Sequence, residues 1–152
     1  MTAPGTPAKL GVLVDTNVLL DLILNREPHA REAALLLDAI ARGKLHGHVA
    51  GHAVTTVHYI VEKEQDQTTA ITAIGDLLQI LKVVEIGEPE FQRALAMGLR
   101  DFADAVQAAA CLKVGAEFLV TRNARDFKGA PVTTKTAGEV LAILASLQLT
   151  RE

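Results

Sequence analysis

From Leu10 the chain runs through an unbroken apolar stretch, Leu10-Gly11-Val12-Leu13-Val14, and turns polar at once in Asp15-Thr16-Asn17. A continuous rather than alternating stretch is the pattern of a strand buried on both faces of a parallel sheet. Asn17 to about Asn25 reads as a short helix. Pro28 opens the next, where Ala30, Ala33, Ala34, Leu37 and Ile40 keep helical spacing until Gly43. His46 to Ala50 is a weak second strand. Helices are predicted over 53–64 and 66–81, the latter capped by Asp66 or Thr68, and a strand over 82–86. Pro89 stands early in a helix from Glu88 to about Leu99. Asp101 caps another from Phe102 to Val114, which Gly115 ends. Glu117 to Thr121 is the clearest later strand, 122–129 a polar loop, and 131–134 a short strand. An apolar helix from Ala137 to Leu147 closes the pattern. Five strands interleaved with helices specify a three-layer α/β/α domain around a central, mainly parallel five-stranded sheet.

The chain has 152 residues, enough for one domain with one good core. No linker or internal repeat divides it. Residues 1–8, rich in Pro, Gly and Thr, read as a disordered tail, and 9–152 as a single domain. The N-terminus does not read as a signal peptide, and no apolar run approaches the ~20 residues of a membrane span. Cys111 is the single cysteine, which excludes an intrachain disulfide and suits a reducing compartment, so the expected location is the cytoplasm. Fifteen Lys and Arg against eighteen Asp and Glu give a net charge of −3. A general attraction to nucleic acid is therefore absent, and any nucleic-acid contact must come from a local patch.

The acids lie at element boundaries. Asp15 ends the first strand, Asp101 and Asp104 open a helix, and Asn123 and Asp126 follow the strand that ends at Thr121. Ligands of open α/β sheets gather at the carboxyl ends of strands, and neighbouring strands would bring these side chains to one edge. Carboxylates that close repel, so such a cluster implies a cation or shifted pKa values. An all-oxygen set suits Mg²⁺ or Mn²⁺ rather than zinc, and a carboxylate-held metal is equipment for hydrolysing a phosphodiester. Each acid also has a plainer reading. Asp15 or Thr16 can cap the next helix, Asp101 is a natural N-cap, Asp104 suits the helix dipole and Asp126 can close a turn. His46, His48, His52 and His58 invite a zinc reading, but no Cys or acid partner has metal-site spacing. No GxGxxG or Walker A pattern is present.

Val14-Asp15-Thr16-Asn17, Asp101-Phe102-Ala103-Asp104-Ala105 and Val120-Thr121-Arg122-Asn123-Ala124-Arg125-Asp126-Phe127 together resemble the PIN domain (PilT N-terminus), in the order of its VapC-like branch. The resemblance spans about residues 9–145. It implies a parallel five-stranded sheet and a Mg²⁺- or Mn²⁺-dependent ribonuclease, often a toxin held by a small antitoxin protein and usually a homodimer. By position, Asp15 and Asp104 match two of the family's acids. Asn123 falls where many relatives carry another, with Asp126 as its neighbouring substitute. Thr56 stands where a further acid is expected on the helix after the second strand. Neutral side chains at Thr56 and Asn123 lower the expected metal affinity.

The leading expectation is thus a ribonuclease with Asp15, Asp104 and Asp126 as catalytic metal ligands. Thr16, Asn17, Thr56, Asp101 and Asn123 would support them, and Arg122, Arg125 and Lys128 would contact RNA. Phe127 is expected to plug the sheet edge and orient the Asp126 loop. The alternative is a degenerate domain that binds RNA or a protein partner without cutting. Phosphoryl transfer through an aspartyl nucleophile at Asp15 is weaker, because Asn17 stands where a second acid would be needed.

Overall fold

The computed structural model describes residues 9–151; the tail expected over 1–8 lies outside them. Its elements are β1 (Gly11–Val14), α1 (Thr16–Ile23), α2 (Ala30–Ala41), β2 (His46–Ala50), α3 (Gly51–Glu64), α4 (Gln67–Ile80), β3 (Lys82–Val84), α5 (Glu88–Met97), α6 (Phe102–Val114), β4 (Phe118–Val120), a 3₁₀ turn (Ala124–Phe127), β5 (Thr134–Lys135) and α7 (Ala137–Arg151). The strands form one sheet in the order β3-β2-β1-β4-β5, and every pairing is parallel.

The apolar run that opens the sequence becomes the central strand. Val12, Leu13 and Val14 are fully buried, as a strand flanked on both sides and covered on both faces must be. The chain winds outward from β1 through β2 to β3, then returns across the sheet to β4. Right-handed crossovers in opposite directions put helices on opposite faces. Hence α1 to α4 cover one face, joined by α7 against α2, while α6 lies across β1 to β4 on the other with α5 packed on it. The result is the expected three-layer α/β/α architecture.

The reversal falls between β1 and β4, whose carboxyl ends therefore flank the switch point where open sheets form their ligand crevice. β2 approaches its covering helices so closely that a Cβ on Gly47 would come within 2.7 Å of Ile40 and 2.8 Å of Leu81. Gly115 closes α6 in the left-handed region at φ 66°, a conformation that favours glycine.

The last strand is displaced from its prediction. The pattern placed the last strand over 131–134, whereas pairing with β4 begins at Thr134 and includes Lys135. Leu119 N donates to the Thr133 carbonyl and Thr121 N to the Lys135 carbonyl. The 3₁₀ turn and the bends after it use the preceding residues to bring the backbone alongside β4. Phe127, 3% exposed, enters the main core and anchors that turn beneath the sheet edge.

Candidate functional site

Asp15 occupies the N-cap position of α1, but its carboxylate does not cap that helix. It is 5% exposed and turns across the switch point. The Thr121 hydroxyl donates to Oδ2 at 2.9 Å, and Gln107 Nε2 lies 3.3 Å from Oδ1. The Asp15 backbone N–H donates to the Val120 carbonyl at 2.9 Å, so β1 and β4 are stitched together at the site. Thr121 Oγ1 also accepts the Asn123 N–H at 3.0 Å. One hydroxyl thus ties the loop after β4 to the buried acid. Burial pushes the Asp15 pKa up and the Asp126 charge adds to this; the Thr121 hydroxyl, the Thr16 backbone and Arg122 oppose it.

Asp104 approaches from α6. Its backbone N–H donates to Asp101 Oδ1 at 3.0 Å, so Asp101 is the N-cap and Asp104 stands in the first turn, partly buried. Burial raises the Asp104 pKa to about 6, reinforced by the charges of Asp101, Asp15 and Asp126. These charge interactions put the acid that follows β1, the acid of α6 and the acid of the 3₁₀ turn within electrostatic reach of one another. Asp101, Asp104 and Asp126 line an open cleft of about 340 Å³ with Arg100, Arg125 and Lys128. Among the described residues no three His, Cys, Asp or Glu side chains stand close enough to form a ready metal shell. The donors nevertheless fit a hard divalent cation: they are carboxylate oxygens held against their own repulsion, with Asp104 partly buried and Asp126 exposed.

The other expected residues separate. Thr16 Oγ1 is 2.9 Å from Gln107 Nε2 and belongs to the Asp15 socket; Asn17 is partly buried in the same first turn of α1. Asn123 precedes the 3₁₀ turn, and its carbonyl accepts the Asp126 N–H. Thr56 is exposed, and its hydroxyl donates back to the His52 carbonyl at 3.1 Å. The α3 side chain in contact with the α6 entrance is instead His52, whose Nε2 lies 3.2 Å from the Ala103 carbonyl. Burial lowers the His52 pKa.

Arg122 departs from its expected role on RNA. Its guanidinium grips Asp21 through Nε–Oδ2 at 2.8 Å and Nη2–Oδ1 at 3.3 Å, and Asp21 is 1% exposed. A buried carboxylate needs such a paired, hydrogen-bonded cation, so this side chain ties the loop after β4 to α1. Arg125 and Lys128 remain exposed at the cleft, and Arg100, not singled out from the sequence, joins them. Gln107, Thr121 and Asp21 were also missed as site residues. A lone polar residue inside Val18–Ile23 and inside Ala105–Cys111 was the available signal for Asp21 and Gln107.

The chain is similar to known proteins in sequence and in fold. A PIN domain family model matches residues 11–125. Ribonuclease VapC1 of Aquifex aeolicus (strain VF5) is 23% identical over 133 residues, covering 84% of this chain and 91% of the relative. The structure resembles VapC20 of Mycobacterium tuberculosis, described as a sarcin-ricin loop cleaving toxin, with TM-score 0.66, 18% identity and coverage of 80% and 96% of the two chains. It also resembles a chain of a toxin-antitoxin complex from Klebsiella pneumoniae, with TM-score 0.63, 25% identity and coverage of 83% and 97%. The family model covers most of the chain, including both strands that frame the acids, and the protein belongs to the PIN domain family.

Proposed function

We propose that this PIN domain is an endoribonuclease acting as the toxin of a toxin-antitoxin pair. The observation that carries the reading is a cleft lined by Asp101, Asp104 and Asp126 beside Arg100, Arg125 and Lys128, with Asp15 within electrostatic reach of Asp104. Negative groups at the centre with cations along the rim suit a polyanion attacked at one phosphate. Asp15, Asp104 and Asp126 would hold a divalent cation, Mg²⁺ or Mn²⁺, which supplies charge stabilisation at the phosphate and an acidified water. The chain's own contribution is positional. Thr121 and Gln107 keep the Asp15 carboxylate in one orientation, Asp101 fixes the entry of α6 beneath Asp104, and Arg125 and Lys128 engage the RNA backbone.

The naming of the Aquifex relative as a ribonuclease supports cleavage over binding alone, and the Klebsiella complex supports a small antitoxin protein as partner. We further propose a homodimer. Phe91 and Phe102 stack with centroids 6.0 Å apart, and Leu95, one turn from Phe91, is exposed like both. This apolar patch suits a second copy and is testable by sedimentation. Among the described residues no helix is long and apolar enough to cross a membrane. Buried, unpaired Cys111 is consistent with a cytoplasmic location.

The deciding experiment incubates purified protein with a panel of structured and unstructured RNAs. Internal cleavage is expected with Mg²⁺ or Mn²⁺, lost on chelation and lost in Asp15→Asn and Asp104→Asn. Cleavage that persists in both variants would overturn the assignment.

A further inference from the structure

Gln107 is 2% exposed in a stretch of α6 whose neighbours from Ala105 to Cys111 are all buried and apolar. An aliphatic side chain would fill that position without the cost of burying an amide. Its Nε2 reaches Asp15 Oδ1 at 3.3 Å and Thr16 Oγ1 at 2.9 Å. An ionised carboxylate only accepts, so the nitrogen is the end that faces Asp15. The amide oxygen is thereby committed to the other direction, where it is buried with no hydrogen-bond donor among the described residues. Gln107 lies three residues after Asp104, on the same face of α6. It therefore joins the helix that carries the open acid to the carboxylate of the buried one.

We propose that Gln107 is a positioning residue of the acidic site. Its amide N–H sets the orientation of the Asp15 carboxylate for a divalent cation, and its amide oxygen, turned away from Asp15, accepts a hydrogen bond from a buried water. The proposal rests on the metal reading above. It explains both an amide kept in an apolar helix and the unpaired acceptor, since buried polar groups without protein partners are characteristically met by water. Residues that orient a metal ligand typically change metal affinity by about 10- to 100-fold when replaced.

The test is Mn²⁺ calorimetry together with thermal melting of the metal-free protein. Gln107→Met keeps the volume and removes both amide functions, while Gln107→Asn keeps the amide but is too short to reach Asp15. Both variants are expected to bind Mn²⁺ at least about tenfold more weakly while still melting cooperatively as metal-free protein. If Gln107→Met fails to fold, Gln107→Asn carries the comparison. Wild-type affinity in a folded variant would overturn the positioning role alone. Absence of Mn²⁺ binding by the wild type would overturn the metal reading and this proposal with it.

Discussion

The two halves of the acidic site are built differently. On the inner side Asp15 is buried, hydrogen-bonded by Thr121 and Gln107, and braced by the neighbouring Asp21–Arg122 pair. On the outer side Asp104 is partly buried and Asp126 exposed, at a helix entrance and on a 3₁₀ turn beside exposed cations. The inner half belongs to the core, where each polar group must find a partner. The outer half sits in water, where charges can move to meet a ligand. Mutations should divide along this line: inner changes reach the hydrogen bonds of the core as well as the site, and outer changes spare them.

The largest effect is expected at the inner brace. Arg122→Ala leaves Asp21 as an uncompensated buried charge and should cost about 3–5 kcal/mol in urea unfolding. A loss below 1 kcal/mol would mean that the loop after β4 does not depend on this pair.

Asp104 should behave in the opposite sense. Its folded pKa of about 6 lies above the ordinary 3.8, so the folded state holds the proton more tightly than the unfolded chain. The favourable contribution is fully present below the unfolded value and lost as pH rises through about 6. In metal-free protein, Asp104→Asn should therefore melt above the wild type at pH 7.5, with the advantage fading through the window from about 6 to 4. Melting curves across that range check the sign, and a variant less stable at pH 7.5 would assign Asp104 to the structural half.

Arg125→Ala and Lys128→Ala should show the smallest effect on folding. Each is expected to shift stability by less than about 0.5 kcal/mol while weakening RNA binding. Each should also reduce the slope of log affinity against log salt by about 0.7 for a single strand. An unchanged salt slope would remove these two residues from the RNA path.

This division also governs how far the sequence could be read. β1 and α6 were legible because their patterns are local: an unbroken apolar run before Asp15, and an N-cap at Asp101 with a glycine at the other end. The PIN resemblance likewise depended on short boundary motifs, and it carried Asp15 and Asp104 to positions that the fold brings near each other. The inner contacts were not legible in the same way. Gln107 meets Asp15 across 92 positions, Thr121 across 106, and Asp21 meets Arg122 across 101, separations that no helical or strand period encodes. Arg122 looked like Arg125 because both sit in one polar loop; only the packing of α1 against that loop separates them. The start of β5 was misplaced for a related reason, since its register is set by β4 rather than by its own composition.

The central claim is that the buried acid just after β1 and the partly buried acid on α6 serve one divalent cation. Titrating Mn²⁺ by calorimetry into the wild type, Asp15→Asn and Asp104→Asn tests it directly. Each single substitution should weaken binding by at least tenfold, about 1.4 kcal/mol, although one residue lies in the core and the other at its margin. Binding of wild-type strength in both variants would contradict a shared site.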